Sequence, residues 1–491
     1  MTDEPAVPPS TSRHGASVPR GLDVPAGESG HGRFGRMFPS LRTRGIDIAA
    51  IDKLISAIGS VSGDDSQTIP AGYTYLGQFI DHDITFDPTS VLDKKNDPRA
   101  LVNFRTPRLD LDSVYGSGPA DQPFLYEWKD TKNRGVTLLI GENPSSDAKG
   151  RKLAEHDLQR NAQDRALIGD ARNDENLIVS QLHLLVIRFH NAVVEHVRHK
   201  HGLEGPELFA EARRLVRWHY QWIVVDDFLR RVLGESMLAS VLGPDGAVRR
   251  EFYRPDGDPF IPVEFSAAAY RFGHSMVRRS YGVKPNTEQT FTIFGGGDDH
   301  LGGFRRLQKR FEIHWERFFE IAGHGAPQAS RRLDANIALE LFRLPADVAA
   351  EPQLARLNMR RARALRLPTG PAVAHAMGLD PLGLEQLSHA IPGFPAEVVD
   401  DVPLWLYVLC EAKVFNDGSH LGPVGGRIVA EVLIGLLEAD ADSYLGASPA
   451  WEPEPGFCDP DTKRFWMPEL LAFAGYDPDT GKFPVIAGVA P

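Results

Sequence analysis

Residues 171–197 read ARNDENLIVSQLHLLVIRFHNAVVEHV. Ile178, Leu182, Leu185, Phe189, Val193 and Val197 recur every three or four residues, which lays one apolar stripe along a long helix starting near Asn176. Working outward, comparable spacing predicts helices over 46–58, 208–229, 266–278, 304–319 and 424–438. Stretches with strand-like alternation are scarce, and no repeat of fixed period is visible. Residues 367–373, with Pro368, Gly370 and Pro371, read as a turn-rich connection. The expected fold is mainly α with few short strands: an arm at 1–32, rich in Pro, Gly and Ser and expected to be disordered, then one large domain at 33–491.

Composition narrows the function. Of 491 residues 42% are hydrophobic, enough for a large core. The net charge of −12 gives a nucleic-acid partner no support. Cys410 and Cys458 are the only cysteines, too few for a disulfide framework or a CxxC zinc site. Cys410 follows the apolar run 404–409 and reads as a buried small hydrophobe. The N-terminal residues lack the apolar stretch of a signal peptide, and no run of 18 apolar residues is expected to span a membrane. The expectation is a cytoplasmic protein, or one exported without an N-terminal signal peptide, with no membrane partner and an open oligomeric state.

Four segments concentrate chemistry. Residues 73–83, YTYLGQFIDHD, place Gln78 and His82 at i and i+4, on one helix face, with Asp81 and Asp83 flanking the histidine. Residues 106–117, TPRLDLDSVYGS, gather the oxygens of Thr106, Asp110 and Asp112 on a short loop, the chemistry of a hard cation. Arg172, Glu175 and Asn176 stand at i, i+3 and i+4, hence on one expected face at the start of the long helix. Residues 267–276, AAAYRFGHSM, carry His274 on an expected helix, and RLNMRRAR (356–363) carries Asn358. Taken singly, each also reads as an ordinary salt bridge, acidic turn or structural histidine.

Together and in this order, the four segments resemble the animal (peroxidase–cyclooxygenase) haem peroxidases, the low cysteine count being closer to bacterial members. The resemblance covers about 300 residues, 73–363, and weakens after Pro381. It implies the animal haem peroxidase fold, with haem b buried between core helices. It also implies an enzyme that reduces hydrogen peroxide through a ferryl intermediate, with a place in the response to oxidative stress. The electron donor would be a small molecule: a halide, a pseudohalide or a phenol.

The same resemblance implies roles. His82 would be the general base and acid, Arg172 the stabiliser of the leaving oxygen, and Gln78 the group orienting a distal water or halide. His274 would be the axial iron ligand, Asn358 its hydrogen-bond partner, and Arg271 a partner of a haem propionate. Asp81 and Glu175 would form two ester links to the haem. Asp83, Thr106, the carbonyl of Arg108, Asp110 and Asp112 would hold Ca²⁺. Asn176 stands where myeloperoxidase has a methionine, so no third, sulfonium link is expected. After Asn358 the chain reads MRRARALRLP, where animal members keep Asp, His and Gly before Leu-Pro. Fatty-acid dioxygenases and cyclooxygenases share the family and use a tyrosine three residues before the proximal histidine. Here that position is Arg271, and Tyr270 is four before. A haem-binding module without catalysis is the third reading.

Overall fold

The computed structural model describes residues 34–41, 46–58, 63–85, 106–255, 259–295, 298–345, 351–448 and 450–483. The expected arm at 1–32 lies outside them. Helices dominate. The strands among the described residues form four two-stranded pairs: Phe34–Gly35 with Ile261–Pro262, Asp65–Pro70 with Ala329–Arg331, Gly141–Glu142 with His156–Asp157, and Ser280–Tyr281 with Phe291–Thr292.

The long helix is Leu177–His201. Asn176 starts it: its side chain accepts the backbone N–H groups of Ile178 and Val179, two donors that have no partner inside a first helical turn. Gly202 ends it at φ 64°, a left-handed conformation that glycine adopts without Cβ strain. By length and composition this helix is long and apolar enough to cross a membrane, although Ser180, Gln181, His183 and Arg188 interrupt any run of 18 apolar residues. Yet 83% of its apolar window is buried against the rest of the protein. Two of its buried polar members are bonded there: His190 binds Tyr115 and the carbonyl of Val136, and Asn191 pairs with the backbone of Leu138.

The helices Leu404–Asn416 and Pro423–Ala439 supply the other deep core, with Cys410 fully buried as expected. The helix Gly205–Trp222 continues as a π-helical turn, Ile223–Leu229. That turn carries buried Asp227, whose two carboxylate oxygens each lie 2.8 Å from the hydroxyl of Tyr73. Asp227 also takes the backbone N–H of Met467, so the C-terminal segment is tied to the start of the helix Gly72–Ile84.

Three expected elements differ. Residues 304–319 hold only the 3-10 turns Lys309–Phe311 and Trp315–Arg317. Part of their backbone pairs with residues 152–157: Lys309 N–H donates to Lys152, Ala154 N–H to Leu307, and Leu307 N–H to the Asp157 carboxylate. Residues 266–278 contain the end of the short helix Val263–Ser266 and a 3-10 helix, Ala269–His274, in place of one α-helix. Residues 367–373 are not all turn, because Gly370–Ala376 is helical. Thr369 caps that helix and Pro371 sits in its first turn, where a missing N–H costs nothing. A Cβ on Gly370 would lie 2.0 Å from the ring of Tyr407; the glycine permits this close packing.

Candidate active site

The helix Gly72–Ile84 packs against the long helix, the 3-10 turn Ala171–Asp174 and the 3-10 helix Ala269–His274. It is therefore the element on which the expected residues converge.

His82 is buried and held at three points. Its Nδ1 lies 2.8 Å from Asn173 Oδ1, its backbone carbonyl accepts from Arg172 Nη2 at 3.0 Å, and its Nε2 stands 3.7 Å from Glu175 Oε1. Arg172 also hydrogen-bonds the Thr85 carbonyl and forms a forked pair with Asp170, whose carboxylate oxygens lie 2.8 Å from Nη2 and 3.2 Å from Nε. Asp170 in addition caps the 3-10 turn by accepting the Arg172 N–H at 2.9 Å. Arg172 is thus on a separate turn, and the expected shared helix face with Glu175 and Asn176 is corrected: Asn176 is the cap between the two elements. A helix cannot begin before its cap, so i, i+3 geometry does not apply across it.

Gln78 does share a face with His82, as its spacing requires. Its amide nitrogen donates to Glu175 Oε1, and its amide oxygen accepts from Asn176 at 3.1 Å. Burial pushes the Glu175 carboxyl up to about 7, with Asp170 and Asp81 adding to the effect and Arg172 and Gln78 pulling it back. Burial also raises Asp81, against Arg172, Arg271 and the hydrogen bond from Thr85.

On the other side, His274 ends its 3-10 helix. Asn358, on the helix Leu354–Ala364, places its carboxamide 3.1 Å from His274 Nδ1. Among the described residues no protein hydrogen bond reaches His274 Nε2. Burial pushes this imidazole down to about 3, helped by Arg271 and Arg361; it stays neutral, the state in which a ring nitrogen can bind a metal. Arg271 lies three residues earlier, about one turn of a 3-10 helix; its Nε donates to the Ser266 carbonyl. Asp81 is in electrostatic reach of both Arg172 and Arg271, and so stands between the two halves.

Glu175, Asp81, Arg271 and His274 share an unusual surrounding. Each is enclosed deep in the fold, yet each keeps accessible surface; the Glu175 side chain retains 39%. Their charges act on one another, Asp81 on Glu175 and Arg271, and Arg271 on His274, so a neutral imidazole, an arginine and two carboxyls are gathered together. The donor set suits a haem: a nitrogen for the iron, a cation for a propionate, and carboxyls at the porphyrin edge.

A second cluster lies directly behind His82. Carboxylate oxygens of Asp83, Asp110 and Asp112 all lie within 4.8 Å of one another. Asp83 accepts from Leu111 N–H and the Ser113 hydroxyl, both at 3.2 Å, while Asp110 accepts from Thr106 Oγ1 at 3.0 Å. Leu111 takes φ 57° to fold the loop around Asp83. Three carboxylates gathered so closely repel unless a cation joins them, and all-oxygen donors suit a hard one. The Arg108 side chain points to Asp440, 3.4 Å away.

Residues 89–440 match the family described as animal haem peroxidase. The chain belongs to that family. The matched stretch contains Arg172, His274 and Asn358 and begins after His82. A peroxidase-like protein of Margaritifera margaritifera is 28% identical over 315 residues, covering 59% of this chain and 39% of that protein. Thyroid peroxidase of Mus musculus is 30% identical over 372 residues, 70% of this chain and 38% of that protein. The chain thus spans about two-fifths of the length of these curated relatives. Peroxidase A from Dictyostelium discoideum has the same fold, with a TM-score of 0.64 at 16% identity over 91% of this chain and 94% of its own. A fatty acid alpha-dioxygenase of Oryza sativa shares it too: TM-score 0.55, 19% identity, 78% and 71% covered. The peroxidase fold therefore does not separate these two chemistries. Tyr270 bears on the choice: its hydroxyl donates to the Gly77 carbonyl at 3.2 Å and its ring stacks on Phe265.

Asn173, His183, Asp170 and Ser113 were not singled out from sequence. Asp170 had a signal, an aspartate two residues before the arginine at a helical start. Asn173 and His183 had none, because their pairing joins two elements that spacing does not relate.

Proposed function

We propose that this protein is a haem peroxidase that reduces hydrogen peroxide to water with electrons from a small-molecule donor. The observation that carries the reading is His82, gripped at its ring by Asn173 and at its carbonyl by Arg172, with Nε2 3.7 Å from Glu175 Oε1. Haem b, held at His274, would supply the redox chemistry. Asn358 would accept from His274 Nδ1–H once its amide oxygen is turned to the ring, which leaves Nε2 as the ligating atom. His82 Nε2 would take a proton from one peroxide oxygen and return it to the other, and the Arg172 guanidinium would stabilise charge on the leaving oxygen. Gln78, fixed by Glu175 and Asn176, would orient a water or halide beside His82. Asp81 and Glu175 would form the two esters. Ca²⁺ at Asp83, Thr106, the Arg108 carbonyl, Asp110 and Asp112 would pin the backbone next to His82.

The test is a peroxide assay on the haem-loaded protein with bromide, iodide, thiocyanate and phenols, beside an oxygen-uptake assay with a fatty acid. Peroxide-dependent donor oxidation is expected, slowed about 10²–10⁴-fold in His82→Ala. Oxygen uptake with fatty acid and no peroxide-driven turnover would replace this reading with the dioxygenase one.

A further inference from the structure

We infer that Asn173 is a positioning residue that sets the tautomer of His82, and that His183 fixes Asn173 in turn. This rests on the reading of His82 as the base. Adjacent residues of one 3-10 turn grip His82 at both ends: Arg172 takes its carbonyl and Asn173 its ring. A base must present an unprotonated Nε2, so its proton must sit on Nδ1. Asn173 Oδ1, 2.8 Å from Nδ1, is an acceptor for that proton.

A carboxamide alone does not choose, because turning it over would offer an N–H to Nδ1 and drive the proton to Nε2. The second contact ties that choice to His183. Asn173 Nδ2 lies 3.0 Å from His183 Nδ1, on the long helix, and donates to it. One amide bridging two imidazoles couples their tautomers: while His183 Nδ1 accepts, His82 Nδ1 must donate. Asn173 and His183 are both 0% exposed, so no bulk water competes for these bonds, and a buried amide left half-bonded is unfavourable. The edge of the Phe79 ring, 6.1 Å away centre to centre, flanks His183 from the His82 helix. The long helix thus acts on the base through Asn173.

Cyanide association with the haem-loaded protein, followed at the Soret band, reads this directly. Hydrogen cyanide gives its proton to His82 Nε2 as the anion binds. Asn173→Leu, which has no acceptor, should associate about 10–100-fold more slowly, a part of what a general base supplies. Asn173→Asp keeps an acceptor for Nδ1–H and should stay within about threefold of the wild-type rate. His183→Leu leaves Asn173 present but unanchored and should fall between; it serves in place of Asn173→Leu should that variant lose haem. Peroxide reduction should follow the same order. Equal rates in Asn173→Leu and wild type, or equal slowing in Leu and Asp, would overturn the role of Asn173. Unchanged cyanide association in His82→Ala would overturn the base assignment itself, and this inference with it.

Discussion

Asp170→Asn isolates the contribution of a residue that touches neither peroxide nor haem in the proposed site. Asp170 is 1% exposed at its side chain and holds Arg172 through three guanidinium contacts of 2.8–3.3 Å. Asparagine still offers an oxygen to the Arg172 N–H, so the cap of the 3-10 turn survives. What is lost is charge. A charge-assisted hydrogen bond contributes about 1.5–3 kcal/mol, and the arginine is 27% exposed, so solvent screening brings this down to about 1–2 kcal/mol. At 1.4 kcal/mol per tenfold, the population of correctly held Arg172 drops about 5- to 30-fold. The peroxide step, followed by stopped flow, should slow by a similar factor. Arg172→Ala, which removes the donors outright, should slow it about 10²–10³-fold. Thermal unfolding should show a loss of about 1–2 kcal/mol in Asp170→Asn. If Asp170→Asn reacts at the wild-type rate while Arg172→Ala is slow, the forked pair does not aim the arginine. If the two variants are equally slow, Asp170 acts through more than Arg172.

Three further outcomes are expected. After peroxide treatment, acid–organic extraction should leave haem on the polypeptide; Asp81→Ala and Glu175→Ala should each remove one link and the double variant both, whereas complete extraction from wild type would refute the tethers. Chelation should lower activity and thermal stability together, because Asp83 adjoins His82; full activity in protein shown to be free of calcium would refute that coupling. Glu411, 2% exposed, accepts the N–H groups of Val424 and Gly425, and burial pushes its carboxyl up to about 7. A raised carboxyl leaves stability intact below the unfolded pKa near 4.5, then reduces it until the folded value is reached. Wild type should therefore lose roughly 3 kcal/mol between about pH 4.5 and 7 from this group. Glu411→Gln should remove that slope in denaturant titrations; identical pH slopes in the two proteins would refute it.

Local patterns carried much of this. The stripe from Ile178 to Val197 determined the long helix, because an apolar face at 3.6-residue spacing needs no knowledge of its partner. The spacing of Gln78 and His82 determined that they share a face, and the loop from Thr106 to Asp112 that its oxygens cluster. Four motifs in order were enough to indicate the family. The tertiary structure decided what spacing within one segment does not encode. Residues 307–309 paired with residues 152–157, and 304–319 formed no α-helix. Arg172 paired with Asp170 and the His82 helix. The bridge from His82 through Asn173 to His183 spans three elements. Such contacts arise only when separate helices pack, since buried polar groups must find partners wherever the fold brings them, however far apart in sequence.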